Sequence, residues 1–188
     1  MNFIILSMTA IIVWTGLILA QMGVWSLGTQ FLILILYGVL FRPYIKIDQW
    51  KNFSDALLRP EKIFLLILVL LAGILYARPH EYITGRWDPG TYMNTGFHIA
   101  HSGSLEIREP LFLEMTGQET EIFSRLKTGH VFHPGFYVKN AHAGLFAPQF
   151  YHAYPVCIAL IYKIFGIYAS LFVNPLFAIL SWIQFYLF

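Results

Sequence analysis

Residues 63–77 read IFLLILVLLAGILYA, fifteen positions without a charged side chain. Pro60-Glu61-Lys62 precede them and suit a helix start, with proline in the first turn and an acid near the positive end of the dipole. A leucine-rich run of this kind reads as a membrane-crossing helix. At 1.5 Å per residue it extends about 22 Å, less than a hydrocarbon core of roughly 30 Å. Lys62 and Arg78 flank it and are placed to snorkel at its two ends.

Toward the N-terminus the same pattern recurs. The chain has 188 residues, 57% hydrophobic and 12% charged, where a soluble domain carries about 25% charged residues. No charged side chain precedes Arg42. Asn2 to Ala20 and Val24 to Phe41 therefore read as two further spans, turned at Gln21-Met22-Gly23. Trp14, Trp25 and Tyr37 are their interface or packing aromatics. A cleaved signal peptide is not the reading, because the n-region lacks Lys and Arg and a second span follows at once. Between Arg42 and Lys62 stand five cations (Arg42, Lys46, Lys51, Arg59 and Lys62) against Asp48, Asp55 and Glu61. The positive-inside rule puts this loop and the N-terminus in the cytoplasm. Residues 79–152 then fall on the outer face of the plasma (inner) membrane.

That segment contains all seven histidines. Gly90 to His101 reads as a short amphipathic helix, with Asp88 at its cap, Pro89 in its first turn and Met93, Phe97 and Ala100 on one stripe. Ser102-Gly103 supplies the stop. The narrow stripe predicts a helix lying at the membrane interface. Leu105 to Phe123 fits strand or loop, and Gly129 to Phe150 reads as a polar, aromatic loop. Tyr154-Pro155 opens a helix to Phe165, with Lys163 near its inner end and Gly166 as its stop. Tyr168 to Phe188 is a full-length apolar run that Asn174-Pro175 should kink. The chain closes among apolar residues, which predicts a truncated protein.

The expected fold is all-α: a polytopic transmembrane protein of about five spans, with a large outer loop carrying short interfacial helices. Residues 1–59 form the hairpin and basic loop, and residues 60–188 the first part of a larger domain. The net charge of +2 gives no argument for nucleic acid. The single cysteine, Cys157, has no intramolecular disulfide partner and reads as an inert buried thiol.

Arg86-Trp87-Asp88-Pro89-Gly90-Thr91-Tyr92, followed by a helix ending in His101-Ser102-Gly103, resembles the first outer loop of the GT-C glycosyltransferases, polytopic enzymes that use lipid-phosphate-linked sugars. Gly129 to Lys139 (GHVFHPGFYVK) resembles the loop over their site. Pro148 to Pro155 (PQFYHAYP) resembles the segment leading into their next span, and Tyr162 to Gly166 (YKIFG) the end of that helix. The likeness covers roughly residues 60–188. It implies transfer of a sugar, with inversion, from a polyprenyl-phosphate donor to an acceptor on the outer face. It also implies that Asp88 is the catalytic residue, acting as base or positioning the acceptor nucleophile. Many members carry two adjacent acids there. This chain has Asp88-Pro89, a departure that removes the acid pair for a metal.

The chemistry asks for one carboxylate that takes a proton from an acceptor hydroxyl and for cations beside the phosphate leaving group. Arg86 and Lys139 are the candidate cations. Tyr92 and Gln149 are candidates to hydrogen-bond sugar hydroxyls, and His152 to bind acceptor or phosphate. Asp88 also has a competing structural role as a helix cap. These residues assign no particular cofactor. A divalent metal ion is the alternative, held by His98, His101, His130 and His133 in two pairs spaced by three, although neither cysteine nor HExxH accompanies them. The non-enzymatic alternative is a membrane subunit whose histidine-rich loop binds metal, lipid or a protein partner.

Overall fold

A computed structural model describes residues 2–42, 59–79, 88–119, 125–127, 130–133, 135–140 and 143–187. Helix α1 spans Asn2–Gln21 and α2 Leu27–Phe41. Their connection is tight: Gly23 takes φ +71°, and Ser26 caps α2 by accepting from the Thr29 N–H while Thr29 reaches back to the Ser26 N–H. This reciprocal pair satisfies two of the donors that a helix start leaves open. Between the helices, the buried Gln30 Nε2 donates to Thr15 Oγ1 at 2.7 Å and to the Ile12 carbonyl at 3.1 Å.

Helix α3 spans Arg59–Tyr76, α4 Asp88–Ser102 and α5 Leu111–Glu114; α6 follows at Ala153–Phe165, α7 at Ile167–Ser170 and α8 at Val173–Leu187. The protein is mostly helical, but a five-stranded antiparallel sheet lies between α4 and α6. Its strands are β1 (Ile107–Arg108), β2 (Arg125–Lys127), β3 (His130–His133), β4 (Phe136–Asn140) and β5 (Leu145–Pro148), in the order β1-β5-β4-β3-β2. The all-α expectation is corrected here. Residues 129–150, read as a loop, are mostly a β-meander. Its turns are made where Gly135 and Gly144 take positive φ, which glycine adopts at little steric cost.

The membrane expectation is corrected as well. Among the described residues no helix is long and apolar enough to cross a membrane, which overturns both the polytopic fold and the assignment to the plasma membrane with residues 79–152 on its outer face. The apolar runs are broken or capped by polar ends. Helix α3 has eighteen residues, but its first turn is Arg59-Pro60-Glu61-Lys62. Helix α2 has fifteen residues and α6 thirteen. The run from Tyr168 to Phe188 is not one helix: a turn at Leu171-Phe172 divides α7 from the fifteen residues of α8. Pro175 therefore stands in the first turn of α8, where its missing N–H costs nothing, and does not kink a longer helix. The basic loop that oriented the chain, with Lys46 and Lys51, lies largely outside the described residues.

Two apolar clusters hold these elements. Leu19, Ala20 and Trp25 of the hairpin pack with Ile99 and Ala100 of α4 and with Val156 and Ala159 of α6. Met93 of α4, Ile158 of α6 and Val173 of α8 form the second. Helix α4 is therefore central, with Gly90, Thr91, Met93, Thr95, Gly96, Ile99 and Ala100 all buried. It is a core helix, and the interfacial placement expected from its narrow stripe does not hold. The stripe underestimated the buried face because glycines and threonines form much of it.

Candidate active site

Helix α4 opens at Asp88, with Pro89 and Gly90 in its first turn. Asp88 is exposed, while Gly90 and Thr91 are already buried. Pro89 and Tyr92 line a cleft of about 710 Å³. The end of α3 contributes Leu75, Tyr76 and Arg78 to it. Tyr151 and Tyr154 enter from the start of α6, and Asn174 and Pro175 from α8. Among the described residues the lining contains one cation, Arg78, and no acid. Asp88, next to Pro89, stands where the helix meets this cleft.

Aromatic contacts fix the cleft wall. Tyr92 lies with its ring centroid 5.3 Å from that of Phe150 and 5.5 Å from that of Tyr154, edge-on to the latter. Burial, with Cys157 as a smaller cause, raises the Tyr154 phenol above its ordinary value. The phenol therefore remains an O–H donor at neutral pH. Tyr151, by contrast, is 90% exposed and available to a ligand entering the cleft.

The meander reaches this helix start. Gly135, at φ +84°, places the position of a missing side-chain carbon 3.0 Å from Thr91 Oγ1. Its carbonyl accepts from the Gln149 N–H at 2.9 Å. One turn thus joins the β3–β4 hairpin, the segment from Gln149 and the first turn of α4.

The expected site residues fall into three groups. Asp88 and Tyr92 share the helix that borders the cleft. Gln149 and His152 lie on the segment that closes its far wall. Gln149 is exposed there, and the His152 Nε2–H donates to the Pro148 carbonyl at 3.2 Å, so that nitrogen holds the β5–α6 corner. Lys139 is elsewhere: on β4 its Nζ meets Glu106 Oε1 at 2.6 Å. Lys139 is thus paired with a carboxylate and is not among the residues lining the cleft. Arg86 lies outside the described residues.

The two histidines of α4 make separate contacts. His98 Nε2 is within hydrogen-bond distance of Ser102 Oγ and of the Glu106 carbonyl, at 3.0 and 2.9 Å. His101 Nε2 meets the Tyr162 hydroxyl at 3.0 Å. The pair on α4 is thus committed to two different sets of partners. His130 and His133 are on β3. Among the described residues no group of three metal-ligating side chains occurs.

Arg78, Tyr151, Tyr154 and Asn174 were missed as site residues. Arg78 reads from the sequence as a snorkelling end of α3, and Asn174 as helix packing. Tyr151 and Tyr154 lie inside the quoted PQFYHAYP segment, and their spacing of three across a helix start was the available signal. No family model matches the chain, and no curated protein or solved structure does either.

Proposed function

We propose that the chain is a glycosyltransferase that moves a sugar from a polyprenyl-phosphate donor to an acceptor hydroxyl at the cleft beside Asp88. One observation carries this reading: a guanidinium and a wall of tyrosines line a single cleft, and Asp88 directly precedes Pro89 of that lining at the start of α4. Tyrosines suit a sugar, since a ring face stacks on its C–H surface and the hydroxyl bonds its oxygens. Arg78 of the lining suits the phosphate, which leaves bearing negative charge.

In the proposed step the Asp88 carboxylate takes the proton of the acceptor hydroxyl. The acceptor oxygen bonds to the anomeric carbon as the bond from that carbon to the phosphate oxygen breaks. The electron pair leaves with the polyprenyl phosphate, and Arg78 stabilises its charge. Arg86 is the second proposed cation. Membrane lipids are the proposed partners of the apolar side chains that α2 and α3 leave exposed, such as Leu36, Leu40, Ile67 and Leu70. Exposed patches of this extent mark contact surfaces.

The test is to supply full-length protein with a polyprenyl phosphate carrying a labelled hexose and a panel of hydroxyl acceptors. The expected result is release of polyprenyl phosphate in equal amount to glycosylated acceptor. Intact donor with every acceptor would overturn the proposal.

A further inference from the structure

The sheet carries a charge pattern that the cleft does not use. Its five strands contain four cations, Arg108, Arg125, Lys127 and Lys139, and no acid. Residues paired across an antiparallel ladder share a face, and so do residues two apart along a strand. Arg125 pairs with Phe132, Phe132 with Tyr137 and Tyr137 with Ala147. Lys127 is two residues from Arg125. Leu145, two residues from Ala147, pairs with Arg108. The positions of Arg108, Arg125 and Lys127 therefore belong to one face, with those of Phe132 and Tyr137 between them. Neighbouring strands lie about 4.8 Å apart, so β1 and β2, at opposite edges of the sheet, are separated by about 19 Å.

Burial agrees with this register. Phe146 and Pro148 of β5 are buried, while Leu145 and Ala147 are half-buried. Phe112 of α5 covers Phe146 edge-on, with centroids 4.6 Å apart. On the opposite face Tyr137 is 40% exposed and Arg108 is exposed. The acids flanking β1 are already engaged. Glu106 is held by Lys139 at 2.6 Å, and Glu109 Oε1 accepts from the Leu111 N–H at 3.3 Å. Beyond β5 the face continues through the exposed Gln149, two residues past Ala147, to Phe150, which meets Tyr92 at the cleft.

Basic edges with an aromatic row between them select a partner. Guanidinium and ammonium groups pair with carboxylates, and an aromatic ring stacks on the C–H face of a sugar. A single-stranded nucleic acid also stacks on aromatic rings, but it brings a phosphate with every nucleotide. The middle strands offer no cation for those phosphates: β3 has no Lys or Arg, and Lys139 of β4 is held by Glu106. An acidic peptide has charge without a sugar's flat C–H face. We infer that this face of the sheet binds an acidic polysaccharide in which uronates are spaced by neutral sugars. The carboxylates meet the two basic edges, and a neutral ring lies over the row of Phe132 and Tyr137. Binding does not depend on Asp88 or on the transfer reading above.

The test is fluorescence anisotropy of a labelled hyaluronate octasaccharide, in which uronates alternate with neutral sugars, titrated with the full-length protein. Competitors are the unlabelled octasaccharide, its carboxyl-reduced form, oligoglutamate and oligo-dT. The unlabelled acid should compete at least about tenfold better than each of the other three. Arg125→Gln combined with Lys127→Gln should weaken the acid about tenfold and leave the carboxyl-reduced form unchanged. Tyr137→Ala should weaken both forms about fivefold, and Tyr137→Phe should keep most of the binding. Lys163→Gln, at an exposed cation of α6, and Asp88→Asn should bind as wild type. No binding of the labelled acid, or competition by the carboxyl-reduced form as strong as by the acid, would overturn the site. So would unaltered binding in both the Arg125/Lys127 and the Tyr137→Ala proteins at wild-type thermal midpoints. Oligoglutamate or oligo-dT competing as well as the acid would overturn the polysaccharide assignment in favour of a peptide or a nucleic acid. Binding without transfer defeats the transfer reading alone, and transfer without this binding defeats the sheet site alone.

Discussion

A side-chain carbon at Gly96 would stand 2.5 Å from Cγ2 of Ile158 and 2.9 Å from the Pro155 carbonyl oxygen. Helices α4 and α6 touch here backbone to side chain, and only a missing side chain permits that approach. The contact matters for the site because it sets how far the start of α6, with Tyr151 and Tyr154 beside it, lies from Tyr92.

Gly96→Ala should therefore destabilise the protein by about 1–3 kcal/mol through overpacking, read as a lower denaturation midpoint. Gly73→Ala is the control. A side-chain carbon at Gly73 meets nothing within 4 Å, and alanine is the better helix former by about 1 kcal/mol. That variant should be neutral or stabilising. A fall at position 73 as large as that at position 96 would show that helix propensity, not the α4–α6 approach, governs both.

Cys157 should resist alkylation. Burial pushes its thiol up to about 11, whereas an unperturbed cysteine titrates near 8.5. At pH 8 the thiolate fraction is then lower by roughly two orders of magnitude. Iodoacetamide should modify the native protein at least about 100-fold more slowly than the denatured chain. The sign for stability follows. A folded value above the unfolded one leaves stability intact below about pH 8.5, and it declines as pH rises toward the folded value. Comparable alkylation of native and denatured protein at pH 8 would contradict this burial.

Glu106 lies below the usual carboxylate range, first because Lys139 hydrogen-bonds it and then because of the Lys139 charge. The pair is half exposed on both sides, so its effect on stability is small. What it contributes is present above the ordinary glutamate range and is lost as pH falls through the lowered folded value. Lys139→Met should shift the carboxyl carbon titration of Glu106 upward toward its ordinary midpoint. The same variant should keep sugar transfer near wild type, since Lys139 is away from the cleft. A loss of transfer with folding intact would return Lys139 to the leaving-group role.

The start and stop of the main helices were legible because single residues with local reasons mark them. Pro89 lies in the first turn of α4, Gly103 ends it at φ +75° and Gly166 ends α6 at φ +86°. The meander was not legible. Its strands are two to five residues long, too short for a two-residue alternation to stand out from a segment rich in glycine, proline and aromatics. The membrane reading failed for a related reason. Composition counts apolar residues in a run but does not see that Leu171-Phe172 turns or that the first turn of α3 is polar. At the site, Asp88 and Tyr92 were visible because one helix start carries both. Arg78 was not, because a cation after an apolar run has an ordinary explanation as a flank. Only the packing of α3 against α8 brings it to the cleft that the tyrosines line.

The transfer account stands on Asp88, and asparagine separates its two roles. Asn caps a helix about as well as Asp but accepts no proton. The deciding measurement is kcat/KM for sugar transfer by full-length Asp88→Asn, taken together with its thermal midpoint. The account predicts a fall of about 10²–10⁴ with the midpoint unchanged. Transfer within a few-fold of wild type, at an unchanged midpoint, would contradict it and leave Asp88 as a helix-starting residue alone.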